Sequence, residues 1–300
     1  IAHEFAKFSH IELKEKTVAI GIGSRGIKPQ TPVVKALIRE LKAAGAVPFM
    51  FPAMGSHGGG TSEGQKGVLA EYGYTEAAFG VPVKASMDVV EVGQLEDGTP
   101  VYCDKLAYEA DYIIPVNRVK PHTSFRGKYE SGLAKMLAIG VSKHAGAAAL
   151  HFHGFAHFHH LIPEAAQVSL DNTNVLFGVG MVENSLEDLR MVEFVDPKNY
   201  LIRDAALLEI AKASIPQLLI KDIDVLIVDQ IGKNISGAGM DPNVTGRCGA
   251  GMPGFDVGLS IGRIVVRDLT DKTQGNASGM GTADVTTQRM LNKIDWTKTY

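Results

Sequence analysis

The sequence predicts an α/β protein of two domains, each with a mostly parallel sheet flanked by helices. The prediction rests on the alternation of apolar strands with amphipathic helices, on the polar loops that follow the strands, and on an apolar content of 45% in 300 residues. We expect an N-terminal α/β domain over residues 1–205 and a C-terminal α/β domain over residues 206–300. Open sheets of this kind bind ligands beyond the carboxyl ends of their strands, so an active site is expected in the interdomain cleft.

The first elements form a strand, helix and strand unit. Thr17–Ile22 is predicted as a buried strand, and the helix after it is expected over Pro32–Ala44, with Thr31 as its cap. Gly45 ends this helix before a second strand over Val47–Phe51.

A glycine-rich loop carrying His57 follows the second strand. The next helix is expected to open at Ser62, with Gln65 completing a capping box. A histidine transfers protons near neutral pH, and an adjacent helix N-terminus favours an anion, so the loop could hold a phosphate or a carboxylate. A flexible turn with an incidental histidine is the alternative. The loop lacks the Lys-Thr ending of a P-loop, which argues against a nucleoside triphosphatase.

A second histidine follows another predicted strand. Val101–Tyr102 and Tyr112–Val116 are predicted strands, and the latter leads to His122. Arg118 and Lys120 make this loop cationic, as a carboxylate substrate would require, although a solvated surface turn has the same composition.

The remaining candidates lie on later elements. A helical segment near Gly132–Ile139 carries Lys135, and a run of small residues leads to His151. An amphipathic segment over Asn199–Ser214 is expected to bridge to the second domain. There, the strand Asp224–Val228 is followed by the polar loop that contains Gln230 and Lys233.

The segment from His151 to His160 holds five of the ten histidines. It suggests a metal site, but neither a helical His-Glu-x-x-His motif nor a cysteine pair is present, so a simple zinc enzyme is disfavoured. Most of these histidines are expected to be structural. A single imidazole that ligates a metal held mainly by another group suits the pattern better.

Composition limits the classes of protein to which the chain can belong. A net charge of −3 offers no basic field for nucleic acid, and Cys103 and Cys248 are too few for a disulfide framework. No signal peptide or membrane-spanning run is recognised, so we expect a cytoplasmic protein. Both termini are expected to be incomplete, because the chain begins at Ile1 and its last predicted helix carries no stop signal.

Taken together, these motifs resemble the signature of the nickel-dependent lactate racemase family. The resemblance spans roughly residues 24–233 and rests on Gly-Ser-His57-Gly, Lys-Pro-His122, Gly-x-x-Lys135, His151 and Gln230-Ile-Gly-Lys233. It departs from the family pattern at Ile22, Ala134 and Asp229.

The resemblance implies a nickel-pincer nucleotide, nickel pyridinium-3,5-bisthiocarboxylic acid mononucleotide. By position, His151 would ligate nickel, Lys135 would tether the cofactor covalently, and His57 and His122 would be the paired catalytic acid and base. It further implies roles in binding the cofactor or the substrate carboxylate. The cofactor residues would include Ser24, Gly55 and Ser56, and the substrate residues would be Arg25, Gln230 and Lys233.

The predicted function is racemisation or epimerisation of a 2-hydroxy acid by hydride transfer, because the C2 hydrogen beside a carboxylate is barely acidic. Expected partners are the small-molecule substrate and the proteins that make the cofactor. Two alternatives stay open at this point. One is a metal-dependent hydrolase or lyase organised by the histidines of residues 151–160, and the other is a non-catalytic protein that binds a hydroxy acid or nucleotide.

Overall fold

A computed structural model describes residues 1–24, 26–249 and 253–299. Over these residues the chain divides into two compact units. The first unit comprises residues 1–120 and 127–214, and the second comprises residues 121–126 and 215–300. The predicted boundary between residues 205 and 206 stays a prediction.

The first unit contains α1 to α9 and β1 to β7. The helices are α1 (Ala2–Ala6), α2 (Gln30–Ala43), α3 (Ser62–Glu71), α4 (Glu76–Phe79), α5 (Lys105–Tyr108), α6 (Leu133–Lys135), α7 (Lys143–His151), α8 (Phe158–Asn172) and α9 (Tyr200–Lys212). A π-helix spans Met136–Val141, and short 3-10 turns span Gly58–Gly60, Phe155–His157 and Pro197–Asn199. The strands are β1 (Thr17–Ile22), β2 (Val47–Pro52), β3 (Val89–Gln94), β4 (Pro100–Asp104), β5 (Tyr112–Arg118), β6 (Gly178–Glu183) and β7 (Leu189–Val195).

A mostly parallel sheet organises the described part of the first unit. Its strand order is β2-β1-β5-β6-β7, and only β7 runs antiparallel to its neighbour. The α/β prediction is therefore confirmed. The carboxyl ends of three adjacent strands lie close together, since Ile22 ends β1 and pairs with Pro52, the last residue of β2, and with Val116, two residues before the end of β5. The loops after β1, β2 and β5 consequently leave the same edge of the sheet.

The apolar patterns that predicted the strands reflect burial on both faces of this sheet. Ile20 and Ile22 of β1 are fully buried, and they belong to one core with Leu37 and Leu41 of α2. Parallel strands covered on both faces show such continuous apolar runs. The β3–β4 hairpin forms a separate antiparallel pair.

Helix α3 begins at Ser62 as predicted, but the predicted start of α2 and the predicted capping box of α3 are wrong. Helix α2 begins at Gln30 and not at Pro32, because the backbone of Pro29 is already helical, with φ of −81° and ψ of −6°. Thr31 therefore lies inside the helix. The cap of α3 is Thr61, whose hydroxyl accepts a hydrogen bond from the Gly64 amide at 3.1 Å. The capping box predicted for Ser62 and Gln65 is thus absent, and Gln65 has a different role.

The second unit contains a smaller parallel sheet. Its strands β8 (Asp222–Val228), β9 (Ser260–Val266) and β10 (Val285–Thr286) lie in the order β10-β9-β8. Its helices are α10 (Pro242–Thr245), α11 (Gln288–Lys293) and α12 (Trp296–Thr299), with 3-10 turns over Asp271–Thr273 and Met280–Thr282. The predicted strand at residues 224–228 is confirmed as part of β8. In the described ranges of the chain, no helix is long and apolar enough to cross a membrane.

Candidate active site

The His57 loop presents an imidazole whose proton position is set by its neighbours. His57 Nδ1 lies 2.8 Å from the Met54 carbonyl oxygen and 3.1 Å from Ser24 Oγ. A carbonyl oxygen only accepts, so Nδ1 carries the hydrogen and the neutral ring has its lone pair on Nε2. The side chain is exposed. His57 therefore presents a proton-accepting nitrogen at the end of β2.

The glycines of this loop allow a backbone that other residues would strain. Gly55, Gly58, Gly59 and Gly60 have φ between 58° and 67°. A Cβ on Gly58 would lie 2.6 Å from the backbone nitrogen of Gln65, so the loop and α3 approach more closely than a side chain permits. The loop is therefore folded tightly onto α3.

Beneath the loop lies a buried polar group of residues that the sequence did not reveal. Gln65 Nε2 donates to the Gly55 carbonyl at 2.8 Å and to the His57 carbonyl at 3.2 Å. Its Oε1 accepts from Lys143 Nζ at 2.5 Å. One signal could have identified Gln65: it lies four residues before Leu69, on the buried face of α3.

The segment that carries Lys135 is held by a carboxylate from a distant helix. Gly132 precedes α6 and has no side chain to cap it. Asp204 of α9 replaces that cap, because its carboxylate accepts from the Leu133 amide at 2.7 Å and the Ala134 amide at 3.0 Å. A Cβ at Gly132 would lie 2.3 Å from Asp204 Oδ1. The glycine of the Gly-x-x-Lys135 motif thus makes room for the carboxylate.

Asp204 also makes stability depend on pH. Burial raises its pKa to about 6, and the hydrogen bonds from the two amides oppose this rise. Because the folded-state pKa lies above the unfolded value near 3.9, the folded protein binds the extra proton between about pH 4 and 6. Asp204 therefore favours folding at the low end of this window, and that contribution is lost as the pH rises through 6.

We expect the free energy of unfolding to fall by about 2 kcal/mol relative to the Asp204→Asn variant as the pH rises from 4 to 7. Urea denaturation of both proteins at several pH values measures this difference. Other titrating groups affect both proteins alike, so their contribution cancels in the comparison. Parallel pH profiles for the two proteins would contradict the assignment.

His151 ends α7 with its ring held by its own helix. Nδ1 lies 2.6 Å from the Ala147 carbonyl oxygen, so Nδ1 carries the hydrogen and Nε2 has the lone pair. Phe158 contacts the ring edge-on at a centroid distance of 5.0 Å. A histidine whose Nδ1–H donates to a backbone carbonyl has the orientation common among metal ligands.

The π-helix connects the elements that carry Lys135, His151 and His57. It follows α6 directly, and its residues are all buried. The Gly55 amide donates to the Gly140 carbonyl at 3.2 Å. A Cβ on Gly55 would lie 3.2 Å from Ile139 and 3.3 Å from Ala147 of α7. The loop of His57 thus packs on the segment between Lys135 and His151.

Two other histidines of residues 151–160, His153 and His159, have hydrogen-bond partners within the protein. His153 Nε2 lies 2.9 Å from Thr99 Oγ1, and His159 Nδ1 lies 2.8 Å from the Ala156 carbonyl oxygen. In the part of the chain that the structure describes, no three histidine, cysteine or acidic side chains converge as metal ligands.

His122 lies in the second unit and has the opposite arrangement of protons. Its Nδ1 accepts from the Ser124 amide at 3.0 Å, so the neutral ring carries hydrogen on Nε2. The ring contacts Phe125 at a centroid distance of 4.2 Å. The His122 carbonyl accepts from Arg126 at 3.0 Å and from Asn243 at 3.2 Å. His122 thus presents an N–H at the nitrogen where His57 presents a lone pair.

Ion pairs engage charged residues at the ends of two strands. Arg118 pairs with Glu183 and is only 20% exposed in its side chain, so the expectation that it makes the His122 loop cationic is wrong. Asp229 pairs with Arg267 at 2.7 Å. Gln230 and Lys233 follow β8 and are exposed.

The structure places the predicted site residues in both units. His57, Ser24 and Gly55 lie in one continuous set of contacts with the segment that joins Lys135 to His151. Arg25 lies outside the described residues. The members in the first unit are Ser24, Gly55, Ser56, His57, Lys135 and His151, and those in the second are His122, Gln230 and Lys233.

These features define a class of protein: a parallel α/β fold with histidine-bearing loops at the carboxyl ends of its strands. Residues 5–161 match the family described as the lactate racemase N-terminal domain, and the chain belongs to this family. The predicted family is confirmed. A search of curated proteins found no match.

Two solved structures share the fold. A protein from Thermotoga maritima matches with a TM-score of 0.57 and 17% identity, over 77% of this chain and 62% of its own length. The lactate racemase apoprotein from Thermoanaerobacterium thermosaccharolyticum matches with a TM-score of 0.55 and 12% identity, over 95% of this chain and 82% of its own. The chain thus spans less than two thirds of the Thermotoga protein.

Proposed function

We propose that the protein is an isomerase that racemises or epimerises a 2-hydroxy acid by hydride transfer to and from a nickel-pincer nucleotide. The observation that carries this proposal is the pair of histidines with opposite proton placement. His57 presents a lone pair on Nε2, and His122 presents an N–H there. Inversion at a hydroxyl-bearing carbon needs one group that accepts the hydroxyl proton. It needs a second group that donates a proton to the same oxygen when hydride returns to the carbon.

The residues present fit such a cofactor. The Nδ1–H of His151 is occupied by the Ala147 carbonyl, which leaves Nε2 as the donor atom for nickel. Lys135 is partly buried, and its backbone is anchored through α6 by Asp204. We propose that Lys135 holds the cofactor covalently and that Ser24, Gly55 and Ser56 contribute to binding it.

When bound, the cofactor supplies an acceptor and donor for the hydride at C2 of the substrate. His57 accepts the hydroxyl proton at Nε2 as the C2–H bond breaks, and its Nδ1–H remains on the Met54 carbonyl. His122 serves the mirror-image product. Gln230, Lys233 and Arg25 bind the substrate carboxylate, for which Lys233 brings a positive charge.

A substrate labelled with deuterium at C2 tests the proposed reaction. We expect the protein, produced together with the cofactor-making enzymes, to invert an enantiopure 2-hydroxy acid and to keep the deuterium at C2. Hydride transfer returns the same hydrogen nucleus, whereas proton abstraction exchanges it with solvent. A panel of 2-hydroxy acids is followed by chiral chromatography and mass spectrometry.

Two results of this experiment would contradict the proposal. Loss of deuterium to solvent during inversion would indicate a proton-transfer racemase. Tight binding of hydroxy acids without inversion, by protein that carries the cofactor, would indicate a binding protein.

A further inference from the structure

We propose that Gln65, Lys143 and Asp104 are positioning residues that hold His57 as the tautomer with hydrogen on Nδ1. The inference rests on the proposed acid–base role of His57 and deepens it. Gln65 and Lys143 donate to backbone carbonyls of the segment that presents the imidazole, and Asp104 pairs with Lys143.

Lys143 sets the orientation of the Gln65 side-chain amide. Lys143 Nζ carries only hydrogen-bond donors, so at 2.5 Å it requires the Gln65 oxygen to face it. The NH₂ group must then face the Gly55 and His57 carbonyls, at 2.8 Å and 3.2 Å. Both amide hydrogens are therefore used to fix the loop.

Lys143 is itself held by contacts to β2 and to Asp104. Its Nζ also donates to the carbonyl of Pro52, the last residue of β2, at 2.8 Å, and it lies 3.4 Å from Asp104 Oδ2. Asp104 Oδ1 accepts from the Ala107 amide at 3.1 Å. Lys143 thus joins the end of β2 to the amide that holds the loop.

The Met54 carbonyl links these contacts to the imidazole. The held carbonyls belong to Pro52, Gly55 and His57, on either side of Met54. The Met54 carbonyl is the acceptor that keeps hydrogen on Nδ1 of His57. Fixing the backbone on both sides of Met54 therefore fixes the direction of that carbonyl and, through it, the tautomer.

The physical cost of this arrangement argues against a merely structural role. Gln65, Lys143 and Asp104 are all fully buried. Burial lowers the pKa of Lys143 and raises the pKa of Asp104, while their mutual attraction opposes both shifts. A buried ion pair is often no more stable than apolar residues of similar size. Lys143 also has a φ of 58°, a strained backbone for a residue with a side chain.

The tautomer can be measured by NMR without substrate or cofactor. Long-range ¹H–¹⁵N correlation spectra of the full chain distinguish a protonated from an unprotonated ring nitrogen, and the His57→Gln spectrum assigns the signals. In the unchanged protein we expect the neutral His57 ring to carry hydrogen on Nδ1. In Gln65→Leu we expect a shift toward the form with hydrogen on Nε2, which solvated imidazole favours.

Two further variants keep the test independent of folding. Gln65→Glu keeps the shape but sets an oxygen against the loop carbonyls. The double variant Lys143→Met with Asp104→Leu removes both buried charges and leaves the Gln65 amide without its orienting donor. In both variants we expect the His57 ring to shift toward the form with hydrogen on Nε2, as expected for Gln65→Leu. Lys66→Met, at the exposed neighbour on α3, is the control and should leave the spectrum unchanged.

Enzyme kinetics provides the second readout. In the loaded enzyme we expect kcat to fall by about 10²-fold in the Gln65 variants, with a much smaller change in KM, because a misplaced base affects the chemical step more than binding. An unchanged His57 tautomer in the folded Gln65 and double variants would overturn the inference. Absence of racemisation by the unchanged protein, with the tautomer shift present, would instead contradict the proposed function alone.

Discussion

Replacing His57 by alanine is expected to slow inversion by about 10²–10⁴-fold while the fold remains intact. The loss follows from removing the nitrogen that accepts the hydroxyl proton. The exposed ring contributes little to the core, so unfolding should be almost unaffected. Initial rates from each enantiomer, measured with the cofactor-loaded protein, give the effect.

His159→Ala is a matched control for this substitution. His159 is also exposed, and its Nδ1 also lies on the carbonyl three residues earlier, that of Ala156, at 2.8 Å. The His159→Ala substitution therefore removes the same kind of local hydrogen bond at a residue that has no role in the proposed site. Equal losses of rate in the two variants, or full activity in His57→Ala, would remove His57 from the proposed chemistry.

Replacing Asp204 by alanine is expected to lower the free energy of unfolding by about 2–4 kcal/mol at pH 7. The reason is that the Leu133 and Ala134 amides, both in buried residues, lose their acceptor. The loss should be larger at pH 5, because Asp204 favours folding more strongly as the pH falls. Urea denaturation at the two pH values measures both effects.

The same substitution is expected to weaken retention of the cofactor, because α6 positions Lys135. Nickel content and protein mass after gel filtration report this. Asp171→Ala is the control: this carboxylate is exposed on α8 and accepts a hydrogen bond from Gln167 at 2.8 Å. Its removal should change stability by no more than about 0.5 kcal/mol. Full cofactor retention by a folded Asp204→Ala variant would show that the Asp204 cap is not needed for Lys135 to hold the cofactor.

Local patterns were sufficient to predict β1, β2 and β5 of the sheet in the first unit, whereas β6 and β7 were not predicted. The strands at Thr17–Ile22 and Val47–Pro52 are continuous apolar runs, and such runs arise wherever a parallel strand is covered on both faces. The helix caps were predicted less well. Thr31 and Ser62 are both good caps by composition, but the backbone at Pro29 and the side chain of Thr61 set the actual boundaries.

The charges of the loops could not be predicted from nearby residues. Arg118 looked available to a substrate carboxylate, but its partner Glu183 lies 65 residues away in sequence on the neighbouring strand. Gln65 was interpreted as a cap because only its local spacing was visible. Its partner Lys143 lies 78 residues further along the chain.

The amino-acid sequence was enough to identify the parallel α/β class, the family, and the candidate residues at the strand ends, because burial periodicity and motif spacing are properties of short segments. How those residues are held became visible in the folded protein alone. Asp204 meets Leu133 across 71 residues, and Gln65 meets the His57 loop from the buried face of a helix. Such contacts depend on which distant groups the fold brings within hydrogen-bond range, and no local pattern encodes that choice.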